Sequence, residues 1–358
     1  MQFYLHVPFC RSKCGYCAFY SIANAPEDWR KRYVEKVLEI LHRSDFPEEV
    51  ESVYIGGGTP TLLQTEDLER ILEALHRYLP VKKDAEWSIE ANPETLTDAK
   101  LDCLRRYVNR ISVGIQSFQP AKRRLLGRDC SCEAIENALE GIRSRGFPHF
   151  NCDLIYAIPG QSMEDFRQDL ERAAATGADH ISCYSLTPEE GTALAGTGID
   201  EETSAAMWQM AGKVLAEKGF RRYEISNYAR PGGECYHNSA VWRGSLLCGI
   251  GPAAASYDGT DRTTECADLQ QWLNDAPPER DVLPREERLR EIFAVNLRTS
   301  DGWKKSAFLA LPGADETLWR RLTSVPLPES WLRKGEDAYA LTEEGMLFWD
   351  EAAMNFLA

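Results

Sequence analysis

The chain has 358 residues, of which 43% are hydrophobic, 27% charged and 10% aromatic, a balance that excludes disorder, collagen-like repeats and low-complexity scaffolds. Its formal charge of −15, from 41 Lys and Arg against 56 Asp and Glu, disfavours nucleic-acid binding through phosphate contacts. No stretch reaches the ~18 apolar residues that a membrane-spanning helix needs. With no basic leader segment, the sequence predicts a cytoplasmic protein.

Short apolar runs typical of β-strands alternate along the chain with amphipathic stretches typical of helices. The predicted strands are Phe3–Val7, Val53–Ile55, Trp87–Ala91, Arg110–Gln116, Asn151–Ala157 and His180–Leu186. The predicted helices between them are Trp29–His42, Glu66–Tyr78, Asp98–Tyr107, Cys132–Arg145 and Met163–Thr176. Six strands that are each followed by a helix indicate an α/β fold with a parallel sheet, closed wholly or partly into a barrel. Chemistry is then expected at the carboxyl ends of the strands.

The pattern changes after the sixth strand. A further helix is predicted over Ser204–Lys218 and a strand over Arg222–Tyr228, followed by an irregular segment from Pro231 to Tyr257. Prolines near residue 280 predict a linker, and short helices follow it from Arg285. We therefore predict a core barrel over residues 1–200, an extension over residues 201–275 and a small, mostly helical, winged-helix-like domain over residues 276–358.

Three of the eleven cysteines are clustered, as Cys10-x3-Cys14-x2-Cys17, directly after the first strand. A structural zinc site usually has four protein ligands, and the candidates for a fourth here, His6 and His237, stand alone. Three soft thiolates with one open position favour an iron–sulfur cluster in which one iron binds a non-protein group. Zinc and a chance spacing are the alternatives.

The sequence around this cluster, Tyr4-Leu5-His6-Val7-Pro8-Phe9-Cys10-Arg11-Ser12-Lys13-Cys14-Gly15-Tyr16-Cys17, resembles the opening motif of radical S-adenosylmethionine (SAM) proteins. The match is to the branch that contains oxygen-independent coproporphyrinogen III oxidase and heme chaperones. The resemblance implies a partial (β/α)6 radical SAM barrel with a small, mostly helical C-terminal domain. It also implies that Cys10, Cys14 and Cys17 hold a [4Fe–4S] cluster whose fourth iron binds the amino and carboxylate groups of SAM.

The same resemblance implies that residues at or near several predicted strand ends contact SAM. The motif Gly56-Gly57-Gly58-Thr59-Pro60 follows the second strand, where positions without side chains let a ligand approach the backbone, and a plain tight turn is the alternative. The residues that the resemblance places against SAM are Gly57, Gly58, Thr59, Glu90, Gln116, Arg128 and Asp153. Tyr4 and Tyr16 are expected to line the cavity from the cluster side. Each polar residue, taken alone, fits a structural role equally well.

Two features of the sequence favour the heme-chaperone branch over the oxidase. Ala18 follows Cys17 where the oxidase usually has a fourth cysteine, and Glu234–Trp242 resembles the branch's H-N-x-x-Y-W heme motif, with Val241 in place of tyrosine. His237 is then a candidate axial ligand of heme, with Cys130 as a substitute. The alternative for His237 is a loop histidine hydrogen-bonded to backbone.

The predicted function is a heme chaperone that binds the cluster, SAM and heme and passes heme to apo-hemoproteins. The competing function is a radical SAM oxidase that decarboxylates coproporphyrinogen III, and the sequence leaves open whether SAM is cleaved or only bound. The expected partners are recipient apo-hemoproteins, an electron donor for the cluster and a second copy of the chain. Peripheral membrane contact is compatible with this interpretation, whereas nucleic acid is not expected.

Overall fold

The computed structural model describes residues 1–187, 191–195, 197, 200–335 and 337–357. Within these residues the chain alternates between strands and helices from its first turn onwards. The strands are β1 Gln2–Val7, β2 Phe9–Cys10, β3 Ile22–Ala23, β4 Val50–Gly57, β5 Val81–Ala91, β6 Arg110–Gln116, β7 His149–Tyr156, β8 His180–Ser185, β9 Arg221–Arg222, β10 Asn227–Ala229, β11 Leu247–Ile250, β12 Ala255–Tyr257, β13 Arg262–Thr264, β14 Glu279–Asp281, β15 Trp303–Lys304, β16 Leu332–Gly335 and β17 Ala338–Leu341.

The helices begin at local capping signals. Thr97 and Ser131 accept backbone N–H groups of the first turns that they precede, and Gly146 ends its helix in the left-handed conformation at φ 62°. The α-helices are α1 Glu27–Arg43, α2 Thr65–Tyr78, α3 Asp98–Tyr107, α4 Pro120–Leu125, α5 Cys132–Arg145, α6 Met163–Ala175, α7 Glu201–Glu217, α8 Tyr236–Trp242, α9 Leu269–Leu273, α10 Arg285–Asn296, α11 Lys305–Leu309, α12 Glu316–Thr323, α13 Glu343–Leu347 and α14 Trp349–Leu357. Three short 3-10 helices cover Pro60–Leu62, Pro93–Thr95 and Glu329–Trp331. Among the described helices, none is long and apolar enough to cross a membrane.

One large sheet dominates the molecule, with the strand order β14-β13-β12-β11-β1-β4-β5-β6-β7-β8-β10-β9. The six strands predicted from the sequence are parallel neighbours within it. Helices connect them, so the predicted α/β partial barrel is confirmed. The first strands of the chain therefore end at the same edge as the later ones, which is the arrangement that a shared site requires.

The two faces of the parallel strands differ in chemistry. Alternate residues point to opposite faces, and residues paired across strands share a face. The face under the helices is apolar and packs in the core, with Phe3, Leu5, Val53, Ile55, Ile89, Ile111, Val113, Cys152, Leu154 and Ile181. The face inside the barrel is polar, with Gln2, Tyr4, His6, Ser52, Tyr54, Glu86, Ser88, Glu90, Arg110, Ser112, Asn151, Asp153, His180 and Ser182. The barrel interior is thus lined by side chains that can donate or accept hydrogen bonds.

The structure corrects two predictions outside the six units. The segment from Pro231 to Tyr257 is not irregular, because it contains α8, β11 and β12, and β11 pairs in parallel with β1. The single strand predicted over Arg222–Tyr228 is wrong, since β9 and β10 are two short strands that pair antiparallel with each other. In both places the sequence is locally irregular and the structure comes from pairing with a partner strand.

The C-terminal residues combine helices α10 to α14 with a small antiparallel sheet of order β15-β17-β16. Phe293 on α10 lies at the centre of an aromatic cluster, with ring centroids of Trp303, Phe308, Trp319 and Phe356 at 5.2–6.1 Å. These aromatic residues belong to the same continuous hydrophobic core as the apolar residues of the barrel strands.

Candidate functional site

A cavity of about 840 Å³ opens at the carboxyl ends of the parallel strands. Most of the predicted site residues line it, namely Cys10, Cys14, Tyr16, Cys17, Gly57, Gly58, Thr59, Glu90, Gln116, Arg128 and Asp153. Residues from five of the six parallel units and from the cysteine segment therefore converge on one space, as expected for the catalytic edge of such a sheet.

The cysteine segment is held in place by backbone hydrogen bonds on both sides. Cys10 ends β2, which pairs with β3, and its carbonyl accepts the N–H of Asn24 at 3.1 Å. Gly15 donates its N–H to Leu126 O at 3.0 Å and accepts the N–H of Leu194 at 2.9 Å. No group of three or more His, Cys, Asp or Glu side chains in the described part of the chain lies close enough to hold a single metal ion. The three cysteines all line the wall of the same cavity.

The thiols are partly withdrawn from water. Burial raises the pKa of Cys10, while the Thr59 hydroxyl, 3.8 Å from its sulfur, lowers it. Burial likewise raises the pKa of Cys14, and the positive charge of Arg128 opposes that shift. Bound metal ions would supply the positive charge that stabilises these thiols as thiolates.

The glycines at the end of β4 allow two segments of the chain to touch. Gly57 has φ +112°, and a Cβ built there would lie 2.8 Å from the His6 ring. A Cβ at Gly58 would lie 2.6 Å from Phe9 O and 3.0 Å from Cys10 Sγ. The sequence predicted that these positions leave space for a ligand. Both glycines line the cavity, and their nearest neighbours are the His6 ring for Gly57 and the Phe9–Cys10 segment for Gly58. Gly58 therefore positions Cys10 as well as lining the cavity.

Two carboxylates form the floor of the cavity. Glu90 accepts the Tyr54 hydroxyl at 2.8 Å and the Gly57 N–H at 3.0 Å, and Asp153 accepts Ser112 Oγ at 2.9 Å and Asn151 Nδ2 at 2.7 Å. Burial raises the pKa of Glu90 to about 7, with the negative charge of Asp153 adding to the shift. Burial also raises the pKa of Asp153. A cation in the cavity would favour the ionised form of both groups.

Gln116 and Arg128 reach the cavity through irregular backbone. Gln116 has φ +68°, in the left-handed region that non-glycine residues rarely adopt, and the β6–β7 register shifts between Gly114 and Gln116. A Cβ at Gly114 would lie 2.5 Å from an Arg128 nitrogen, which donates to Gly114 O at 2.8 Å. Glycine at position 114 is thus required for Arg128 to dock.

Tyr4 does not line the cavity, which corrects its sequence-based placement. Its ring stacks on Tyr54 within the barrel, at 6.2 Å between centroids. His6 Nε2 lies 2.9 Å from Tyr20 O, so it carries the proton, and Nδ1 accepts the Tyr4 hydroxyl at 3.0 Å. The hydroxyl of Tyr4 is therefore used inside the protein.

His237 also lies outside the cavity, on α8 rather than in a loop. It is 5% exposed and packs its ring against Tyr54 at 5.0 Å, on the amino-end side of the barrel interior. Ser52 Oγ donates to Gln2 Oε1, so at 2.7 Å it accepts the proton of His237 Nδ1. Burial lowers the pKa of His237 to about 4. The imidazole is neutral at physiological pH and its Nε2 has a free lone pair, which is the tautomer that metal-ligating histidines adopt.

A buried ion pair holds α8 against the strands. Arg110 Nε lies 2.9 Å from Glu86 Oε2, and its two Nη groups donate to the carbonyls of Gly233 and Glu234 at 3.0 Å. The Glu86 carboxylate accepts the N–H groups of Tyr236 and His237, each at 3.0 Å. The start of α8 is thereby capped by a carboxylate from β5.

The remaining candidates for heme contact lie beside this helix or near the cavity rim. Val241, Trp242 and Tyr257 line a second cavity of about 70 Å³, well below the ~300 Å³ of typical small-molecule sites. Cys130 is partly exposed, and burial raises the pKa of its thiol to about 12, with Glu94 adding to the shift. The structure thus does not bring the candidate heme ligands together.

Several residues that line the cavity are not indicated by the sequence motifs, namely Phe19, Tyr54, Asn92, Glu94, Ser112 and Tyr184. Tyr54 could have been found from alternation in β4, where Ser52 and Tyr54 interrupt the apolar residues Val53 and Ile55. Phe19, which is 70% exposed, carries no such periodic signal because it lies in a loop.

A parallel partial barrel whose cysteine loop, glycine motif and acidic floor meet at one edge defines a protein of the radical SAM class. The family model for the Radical SAM superfamily matches residues 4–173. The chain is 32% identical to the heme chaperone HemW of Escherichia coli (strain K12), over 100% of this chain and 98% of that protein. It is 36% identical to the heme chaperone HemW of Synechocystis sp., over 88% of this chain and 81% of that protein. The chain belongs to the HemW family.

A solved structure shows the same fold. Coproporphyrinogen III oxidase (HemN) from Escherichia coli, described as a radical SAM enzyme, superimposes with a TM-score of 0.83 and covers 99% of this chain and 89% of its own. Its sequence is 24% identical, so the likeness concerns the fold alone.

Proposed function

We propose that this protein is a heme chaperone that holds a [4Fe–4S] cluster, binds SAM beside it, and binds heme for transfer to apo-hemoproteins. The observation that carries the proposal is the full-length similarity to HemW proteins, joined to three cysteines that line one cavity. All eleven cysteines are free thiols, which fits the reducing cytoplasm in which we propose that it acts.

The donor set of the cavity fits the cluster. Cys10, Cys14 and Cys17 are soft ligands on one wall, and three thiolates leave one iron of a four-iron cluster open to a ligand from the cavity. Cys10, Cys14 and Cys17 would hold a cluster that could supply electrons, and we propose an external electron donor as the partner that would reduce it. The chain's own contribution is to fix the thiols, through Thr59 and Gly58 at Cys10 and through Gly15 beside Cys14.

The rest of the cavity fits SAM, whose sulfonium group is cationic. Glu90 and Asp153 are the carboxylates that meet this charge, and Arg128 is the guanidinium that meets a carboxylate of the ligand. Gly57, Gly58, Thr59, Gln116 and Tyr16 form the walls. Gln116 lines the cavity from a left-handed backbone conformation that non-glycine residues rarely adopt.

For heme, we propose His237 as the axial ligand through Nε2. The Ser52–Gln2 chain fixes its tautomer, and the aromatic side chains Tyr236 and Trp242 lie on the same helix. Because His237 is buried, heme binding at this position requires α8 to move from the barrel. A second copy of the chain and peripheral contact with a membrane are further proposed partners.

The decisive experiment follows both heme and products with anaerobically reconstituted protein that contains about four irons per chain. We expect stoichiometric heme uptake, transfer to an apo-hemoprotein, and no vinyl-bearing tetrapyrrole from coproporphyrinogen III. The Cys10→Ala, Cys14→Ala and Cys17→Ala variants should lose the cluster absorbance. Turnover of coproporphyrinogen III without heme transfer would replace the chaperone with the oxidase, and tightly bound zinc without iron uptake would refute the cluster.

A further inference from the structure

We infer that Tyr54 is a positioning residue of the cavity: its hydroxyl fixes the Glu90 carboxylate where that carboxylate meets the cationic part of the ligand. This inference rests on the proposed binding of SAM. Tyr54 belongs to no cofactor-binding motif, and its positioning role follows from its contacts.

Tyr54 and Gly57 divide the Glu90 carboxylate between them. The Tyr54 hydroxyl donates to Oε1 at 2.8 Å, and the Gly57 N–H donates to Oε2 at 3.0 Å. With one donor on each oxygen, the plane of the carboxylate is fixed at the floor of the cavity. A hydrogen bond to a charged acceptor in a site removed from water is among the stronger ones in proteins.

A glycine makes the contact between Tyr54 and Glu90 feasible. A Cβ built at Gly56 would lie 2.9 Å from the Tyr54 ring carbon Cε1 and 3.0 Å from the Glu90 carboxyl group. Any side chain at position 56 would therefore separate the donor from its acceptor. The glycine motif at the end of β4 thus allows this contact as well as the contact with the segment that carries Cys10.

Packing on both sides of the Tyr54 ring holds its hydroxyl towards Glu90. The ring stacks on Tyr4 at 6.2 Å with an interplanar angle of 27°, and it meets the His237 ring at 5.0 Å and 33°. The same side chain also lines the cavity. Tyr54 is therefore preorganised, and binding of a ligand does not have to order it.

The groups that face Glu90 set the sign of the expected effect. They are Tyr4 from β1, Tyr54 from β4, Asp153 from β7 and Tyr184 from β8, and Arg128 offsets the charge of Asp153. Burial and Asp153 raise the pKa of Glu90, and the Tyr54 hydroxyl lowers it. Without that hydroxyl, Glu90 is protonated up to a higher pH and attracts a cation less strongly at neutrality.

The test measures SAM affinity by calorimetry on the reconstituted full chain, at several pH values on both sides of neutrality. For Tyr54→Phe we expect at least about tenfold weaker binding at pH 7, and a rise of affinity with pH that occurs at higher pH than in the wild type. Tyr33→Phe is the matched control, because Tyr33 is fully buried and its hydroxyl donates to His6 O at 2.7 Å, away from Glu90.

Two further measurements separate positioning from a loss of structure. Infrared titration of the cofactor-free protein, with the Glu90 band identified by its loss in Glu90→Gln, should show the carboxyl group titrating at higher pH in Tyr54→Phe. In the Glu90→Gln background, Tyr54→Phe should cause little further loss of SAM affinity. Equal affinities and equal pH profiles in Tyr54→Phe and Tyr33→Phe would overturn the inference. A wild-type protein that binds no SAM would instead overturn the proposed function.

Discussion

At the scale of single residues, Gly58 decides how closely the end of β4 approaches the segment that carries Cys10. The two segments touch where a side chain would otherwise lie, because a Cβ at position 58 would be 2.6 Å from Phe9 O. Thr59, the next residue, donates its N–H to the same carbonyl at 2.8 Å. The position of Cys10 therefore depends on a glycine that is distant from it in sequence.

We predict that Gly58→Ala destabilises the protein by about 1–3 kcal/mol, because the added methyl group overpacks a contact with backbone. It should also lower the iron content after reconstitution, since Phe9 and Cys10 must shift together. Thermal unfolding and iron analysis measure the two effects. Gly335→Ala is the control, because the nearest atom to its Cβ would be at an ordinary 3.8 Å. Unchanged melting and full iron content in Gly58→Ala would show that the contact is unimportant.

Local chemistry explains which site residues the sequence could indicate. The cysteine spacing, the glycine motif and Glu90 lie at strand ends, and the structure places them around one cavity. Tyr4 was misplaced because alternation along β1 gives the face of the sheet but not the depth within the barrel. The contact of Gly114 with Arg128 could not be predicted, since it depends on a register shift between two strands.

At the scale of elements, helix α8 depends on the buried Glu86–Arg110 pair, whose side chains are 9% and 4% exposed. Burial would raise the pKa of Glu86, but Arg110 and the N–H groups of His237 and Tyr236 outweigh burial and lower it. The pair therefore stabilises the fold at neutral pH, and this contribution is lost as acidification protonates Glu86.

We expect Arg110→Met to destabilise the protein by about 3–5 kcal/mol at neutral pH, because it leaves the Glu86 charge buried without its partner. Hydrogen exchange should become faster over residues 233–242, where α8 begins. Arg106→Met provides the comparison: Arg106 pairs with Glu69 at 2.6 Å but is 57% exposed, so its loss should cost less than about 1 kcal/mol. Similar unfolding free energies for the two variants would contradict this role of the buried pair.

The elements themselves were predicted where their signals are local. β6, α3 and α5 have the bounds expected from periodicity and capping. β11 was missed because it is four residues long and its partner, β1, lies at the other end of the chain. Short strands acquire their structure from such pairing, which no window of sequence contains.

At the scale of the whole molecule, the residues proposed to bind SAM and the residue proposed to bind heme lie at opposite ends of the barrel. The cavity opens at the carboxyl ends of the strands, whereas His237 contacts Ser52 near the amino end of β4. Tyr54 lies between them, in contact with Glu90 on one side and His237 on the other.

This separation predicts that SAM and heme do not compete. Heme titrations followed by the Soret band should give the same affinity with and without saturating SAM, and His237→Ala should shift or remove the band. The matched variant His42→Ala, which changes an exposed histidine on α1, should leave the spectrum unchanged. Competition between the two ligands would place heme in the cavity, and an unaltered spectrum in His237→Ala would move the ligand elsewhere, with Cys130 tested next.

The polar inner face of the barrel also determines how this protein can change over evolution. Its inner wall consists of donors and acceptors, such as Asn151 with His180 and Ser112 with Asp153, instead of interlocking methyl groups. A mutation there changes hydrogen-bond partners more than it changes side-chain packing volume. New ligand preferences are therefore reached by exchanging hydrogen-bonding pairs. The shell of helices follows the opposite rule, in which swaps that conserve volume are neutral. A laboratory search for altered specificity would therefore mutate hydrogen-bonded pairs of inner-wall residues together and would leave the helices unselected.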